Sequence, residues 1–128
     1  MRVIVTRPTQ SGRRTAEKLR QRGHDPVILP LTAPTHDVLA AARALERPYS
    51  AIAVTSAEAI RALEKLEDGL SPHRDALLFG VGRVTAAAAQ AAGFTQAQAA
   101  DGTGLDLADR ILAHFHEAGA PSEPLLYL

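Results

Sequence analysis

Short apolar runs alternate along this chain with stretches in which apolar residues recur every three or four positions. That alternation predicts strands following amphipathic helices. Val3-Ile4-Val5, closed by Thr6-Arg7-Pro8, predicts a buried strand of the parallel type. A helix opens at Ser11 or Gly12, with Ala16 and Leu19 inward and arginines outward, and Gly23 stands where glycine favours a helix end. Pro26-Val27-Ile28-Leu29-Pro30 predicts the second strand of a βαβ unit, whose crossover is right-handed and whose strands are parallel. Residues 31–35 have prolines nearby and no periodicity, and are read as a linker.

Beyond the linker the pattern predicts a helix over about 37–45, a strand over 51–55, a helix over 56–66 and a polar loop over 67–74. A strand over 76–81 then leads through Gly82-Arg83-Val84-Thr85 into an alanine-rich helix that Gly93 stops. Residues 94–99 make a weak strand, its alternation blurred by glutamines. The next helix carries Ala108, Ile111, Leu112 and Phe115 as its apolar face, with Thr103 and Asp106 placed for a capping pair. Leu125-Leu126-Tyr127-Leu128 predicts a last strand. An apolar strand at a chain end docks in a sheet or leaves an exposed edge. Here it is read as opening a further half of a longer protein, with an edge that seeks pairing, including with another copy of the chain. The expected class is α/β, with parallel sheets flanked by helices in two lobes. The lobes are expected at 1–33 and 34–120, with 121–128 as the strand that opens the missing half.

Composition narrows what such a fold could do. With 128 residues and 46% hydrophobic side chains the chain can bury a core. Fourteen basic and 14 acidic residues cancel, which argues against a nucleic-acid or membrane-surface partner held by bulk charge. A polyanion would be held locally, by a few arginines or backbone N–H groups. The absence of cysteine removes disulfides, thiolate catalysis and cysteine-bound metals. The opening apolar stretch is too short for a signal peptide or membrane span, so a cytoplasmic location is the default.

The densest chemical signal is the junction Ala51-Ile52-Ala53-Val54-Thr55-Ser56, where a strand meets two hydroxyls and then a helix. A helix N-terminus at a strand's carboxyl end offers free N–H groups and partial positive charge to a carboxylate or phosphate. Thr55 and Ser56 could hold such a group, or Ser56 could cap the helix in the ordinary way. Gly80-Val81-Gly82-Arg83-Val84-Thr85 lacks the third glycine of a dinucleotide loop, since position 85 is threonine. It fits a turn, with a glycine at positive φ or with Gly82 letting a ligand approach and Thr85 facing it. Arg7, beside Thr6 at a strand's carboxyl end, could pair with a carboxylate or stand as a solvated neighbour of Arg13 and Arg14. His24, His36 and His73 are expected exposed, and His114 and His116 project to different faces, so no metal site is expected.

In their order, these motifs resemble the N-terminal half of the uroporphyrinogen-III synthase family. The matching stretches are Val3-Ile4-Val5-Thr6-Arg7-Pro8, Gly23-His24-Asp25-Pro26-Val27, Leu29-Pro30-Leu31, Tyr49 through Ser56, Phe79-Gly80-Val81-Gly82 with Thr85-Ala86, and Gly104-Leu105. The closing Leu125-Leu126-Tyr127-Leu128 resembles the strand that opens the family's second half. Glu58 departs from the small polar residue often found there; it suits the helix but repels an anion. The resemblance implies flavodoxin-like lobes, a substrate cleft, and the linear tetrapyrrole hydroxymethylbilane as substrate. The implied reaction cyclises it to uroporphyrinogen III with inversion of ring D and loss of water. No cofactor or metal is implied, and the parent enzyme is expected to be monomeric. Thr6, Arg7, Thr55, Ser56, Gly82 and Thr85 are the implied substrate-binding residues. Part of the implied first lobe lies outside this chain, so the chain alone is expected to be inactive. A non-catalytic flavodoxin-like module that binds a small anion is the alternative.

Overall fold

A computed structural model describes residues 1–128. It divides into two compact units, Met1–His36 and Asp37–Leu128.

The first unit is β1 (Arg2–Val5), α1 (Thr9–Gln21) and β2 (Asp25–Ile28). The strands pair in parallel, from Arg2 opposite Asp25 to Val5 opposite Ile28. Helix α1 begins after Pro8, whose fixed φ suits a helix start, two or three residues earlier than the apolar pattern suggests. Alternation along the strands sends Val5 inward with Ala16, while Ile4 on the other face is 62% exposed. Gly12 lets helix and strands approach, since a Cβ there would stand 3.2 Å from the Arg7 carbonyl oxygen.

The second unit holds α2 (Val38–Leu45), β3 (Ala51–Val54), α3 (Ala57–Glu64), β4 (Leu77–Gly80), α4 (Arg83–Ala91), β5 (Gln96–Ala99), α5 (Gly104–Ala118) and β6 (Leu125–Tyr127). Its strands lie in the order β5-β4-β3-β6, all parallel. The last strand is paired with β3, Ala51 standing opposite Leu125. The stretch expected as a polar loop is a 3-10 helix, Glu67–His73, because Leu70 folds into the core and is buried.

Period-two alternation splits the sheet into two cores. Ile52, Val54 and Leu78 face one side, packed with Ile60, Leu63, Ala89 and Phe94. Ala51 and Phe79 face the other, packed with Ala100 and Leu107 and flanked by Ile111 and Phe115 of α5. Each large side chain so buried contributes about 1.5–3 kcal/mol. The inward stripe of α5 is therefore Leu107, Ile111 and Phe115, not the expected set. Leu112 is 68% exposed and Ala108 is exposed, while His114 packs edge-on against Phe79 with centroids 5.4 Å apart. The two stripes differ by one residue in their start, and Phe79 and His114 select the observed one.

Candidate functional site

Strands β3, β4 and β5 each run directly into a helix. The N-termini of α3, α4 and α5 therefore gather at the carboxyl edge of one parallel sheet, where open α/β sheets bind ligands. The three helix starts are chemically unlike.

At α3, Ser56 holds the N-cap position with extended backbone, φ −149° and ψ 154°, but its hydroxyl accepts no helix N–H. The expected side-chain cap is not formed. Glu58 answers the positive helix end and pairs with Arg61 one turn on. Thr55 and Ser56 are exposed, and the Thr55 amide donates to the Leu128 carbonyl at 3.4 Å. Both hydroxyls thus stand at the sheet edge, beside an acid that disfavours an anion.

At α5, the expected capping pair is present in full. The Asp106 amide donates to Thr103 Oγ1 at 3.2 Å, and the Thr103 amide and hydroxyl donate to Asp106 Oδ2 at 2.8 and 2.6 Å. These bonds, the Thr103 hydroxyl foremost, hold the Asp106 carboxyl below its ordinary pKa.

At α4, there is neither a side-chain cap nor an acid in the first turn. Gly82 is extended at φ −161°, a conformation open to any residue, so the expected positive-φ turn is not what selects glycine there. Space does not demand glycine there either, since a Cβ would stand 3.5 Å from Gly102 Cα on the neighbouring loop, an ordinary contact. Gly80 is more tightly constrained: a Cβ there would meet the Ala86 amide nitrogen at 2.9 Å. Helix α4 can start this close to β4 only over a glycine. Thr85 is 5% exposed. In front of this helix start lies a cavity of about 650 Å³, lined by residues 81–85 and 99–102.

Thr6 and Arg7 follow β1 in the first unit, and both side chains are exposed. Arg7 donates to Thr15 Oγ1 at 3.3 Å, which steadies the guanidinium along α1 and leaves most of its donors open.

Two features gave no signal in the sequence pattern. Arg83 opens α4 and lines the cavity with Gly82 and Thr85. Tyr49, half-buried just before β3, bonds its phenol oxygen to His73 Nδ1 at 2.6 Å, and burial raises its pKa. The two are 24 residues apart and meet only through the fold. His24, His36 and His73 are each half-buried rather than exposed. No three histidines or carboxylates come together as metal ligands.

No curated protein matches the chain. The family model for uroporphyrinogen-III synthase HemD matches residues 13–128, which takes in most of α1 and every element after it. With parallel strands, flanking helices and a cavity at the carboxyl edge, that match is decisive for kinship: the chain belongs to the uroporphyrinogen-III synthase family.

Proposed function

We propose that this chain contributes the tetrapyrrole-binding carboxyl edge of an enzyme that cyclises hydroxymethylbilane to uroporphyrinogen III in heme biosynthesis. The observation that carries the reading is the convergence of three helix N-termini on one sheet edge, with a cavity of about 650 Å³ before the start of α4. The substrate bears acetate and propionate carboxylates, which backbone N–H groups and hydroxyls at such an edge can hold. Thr55 and Ser56 offer hydroxyls, Gly82 lets the backbone approach, Thr85 faces the cavity wall, and Thr6 and Arg7 offer a hydroxyl and a guanidinium in the first unit.

Hydroxymethylbilane loses its hydroxyl readily, so the protein's task is orientation more than activation. Holding the reacting ends in one geometry replaces a wide search by a single approach, and such positioning can supply several kcal/mol of the barrier. The step is a lyase reaction: water leaves, ring D inverts and the macrocycle closes. Neither a metal nor an organic cofactor enters this reading. A cytoplasmic location accords with that role, and no helix is long and apolar enough to cross a membrane.

The chain by itself is proposed not to direct the isomer. Its first unit is a single βαβ with one strand face bare, Ile4 being 62% and Val27 37% exposed. A unit that small is marginal alone. The test supplies freshly generated hydroxymethylbilane to the purified chain and titrates the chain with uroporphyrin III. The reading expects saturable binding of the porphyrin with mainly type I product from the bilane. No binding up to millimolar porphyrin would overturn the assignment of substrate, and type III product at the rate of an intact family member would overturn the claim of incompetence.

A further inference from the structure

Of the three helix starts, α3 and α5 are already answered by the chain's own acids, Glu58 and Asp106. Helix α4 has none and no side-chain cap, and spans nine residues. An unanswered helix start alone identifies nothing. Here two side chains point to a ligand independently of it. Thr85 is 95% removed from solvent, lines the cavity, and has its hydroxyl engaged by no other protein group. Arg83 stands at the mouth of the same cavity, is exposed, and takes part in no ion pair. A cation in the first helical turn is unfavourable for the helix itself, because it meets the positive end of the macrodipole. Its fork of donors suits a carboxylate held between it and the first-turn N–H groups.

We propose that Arg83 is the specificity-determining anchor for one substrate carboxylate, received by the α4 N-terminus and the Thr85 hydroxyl. The inference rests on the tetrapyrrole reading above and sharpens it: the anion is taken at α4, and the α3 start, with Glu58 in its first turn, is the weaker receiver. Asp101 also lines the cavity, and its negative charge works against an anion bound there. A point charge in place of the fork keeps the attraction but loses the paired donors.

The test is a fluorescence titration of the full chain with uroporphyrin III at two salt concentrations, using Arg83→Gln, Arg83→Lys and Asp101→Asn. Loss of a charge-assisted bond at a partly solvated site predicts about a tenfold weakening for Arg83→Gln. Arg83→Lys should recover part of that loss, and Asp101→Asn should tighten binding about twofold, with both effects shrinking at high salt. Melting temperatures within about 2 °C of wild type would show that the fold is intact, since Arg83 is exposed. If wild type binds and Arg83→Gln binds equally well, the anchor is refuted while the tetrapyrrole reading stands. If wild type does not bind, both fall.

Discussion

Replacing Gly80 by alanine probes the contact that fixes the cavity's shape. The new Cβ would lie 2.9 Å from the Ala86 amide nitrogen, 3.3 Å from Ala86 Cα and 3.4 Å from the Thr85 carbonyl carbon. All three are backbone atoms of α4, so no side-chain rotation relieves the clash. Relief needs α4 to lift by about half an ångström, which loosens Ala86 and Ala89, 4% and 0% exposed, from the sheet. Overpacking of this kind costs about 1–3 kcal/mol. Unfolding entropy is about 2 cal/mol/K per residue. Over the roughly 90 residues of the second unit, a mid-range cost of about 2 kcal/mol lowers the melting temperature by about 10 °C. Thermal unfolding followed by circular dichroism reads the change. Gly104→Ala is the control, because its Cβ meets open space at the first residue of α5, and it should raise stability slightly. A Gly80→Ala protein melting within 2 °C of wild type would refute the reasoning that backbone approach selects glycine there.

Further outcomes follow from the same contacts. Leu63→Ala empties a fully buried position and should cost about 2–5 kcal/mol, whereas Leu112→Gln, at a site 68% exposed, should be near neutral; urea midpoints separate the two. Thr103→Ala should cost about 1 kcal/mol by removing the cap of α5. Because Asp106 titrates below its ordinary pKa in the fold, its contribution is present above the unfolded value and fades as pH falls through the folded one; Thr103→Ala, which removes the main cause of that lowering, should therefore lose less further stability on acidification than wild type. Burial raises the Tyr49 pKa, so stability should fall as pH climbs past the unfolded tyrosine value near 10, and Tyr49→Phe should flatten that slope.

Much of this arrangement was legible in the chain before its coordinates. The strands at Ala51–Val54 and Leu77–Gly80, and the Thr103–Asp106 pair, are local features whose physics acts within a few residues. The inward stripe of α5 was not legible, because Ile111 and Phe115 fit two faces. Phe79, over 30 residues earlier, chooses between them through His114. Leu70 likewise looked like part of a polar loop, since the core that claims it is built from distant residues. At the edge, the sequence pointed to hydroxyls at Thr55 and Ser56, because strand, hydroxyl and helix are contiguous there. It did not reveal that Ser56 leaves the helix uncapped, nor that Arg83 and Thr85 share a cavity with residues 99–102. The shared cavity joins separate loops, and depends on how closely Gly80 lets α4 approach the sheet.

The central claim is that a carboxylate-rich tetrapyrrole binds at the carboxyl edge of β3, β4 and β5. Hydrogen–deuterium exchange of the full chain, with and without saturating uroporphyrin III, tests it most directly. The account predicts slower exchange at residues 82–86 and 100–103, with a smaller effect at 55–60, and none at 43–50 or 67–75 at the other end of the sheet. Protection centred on those distant segments, or spread evenly over the chain, would contradict it.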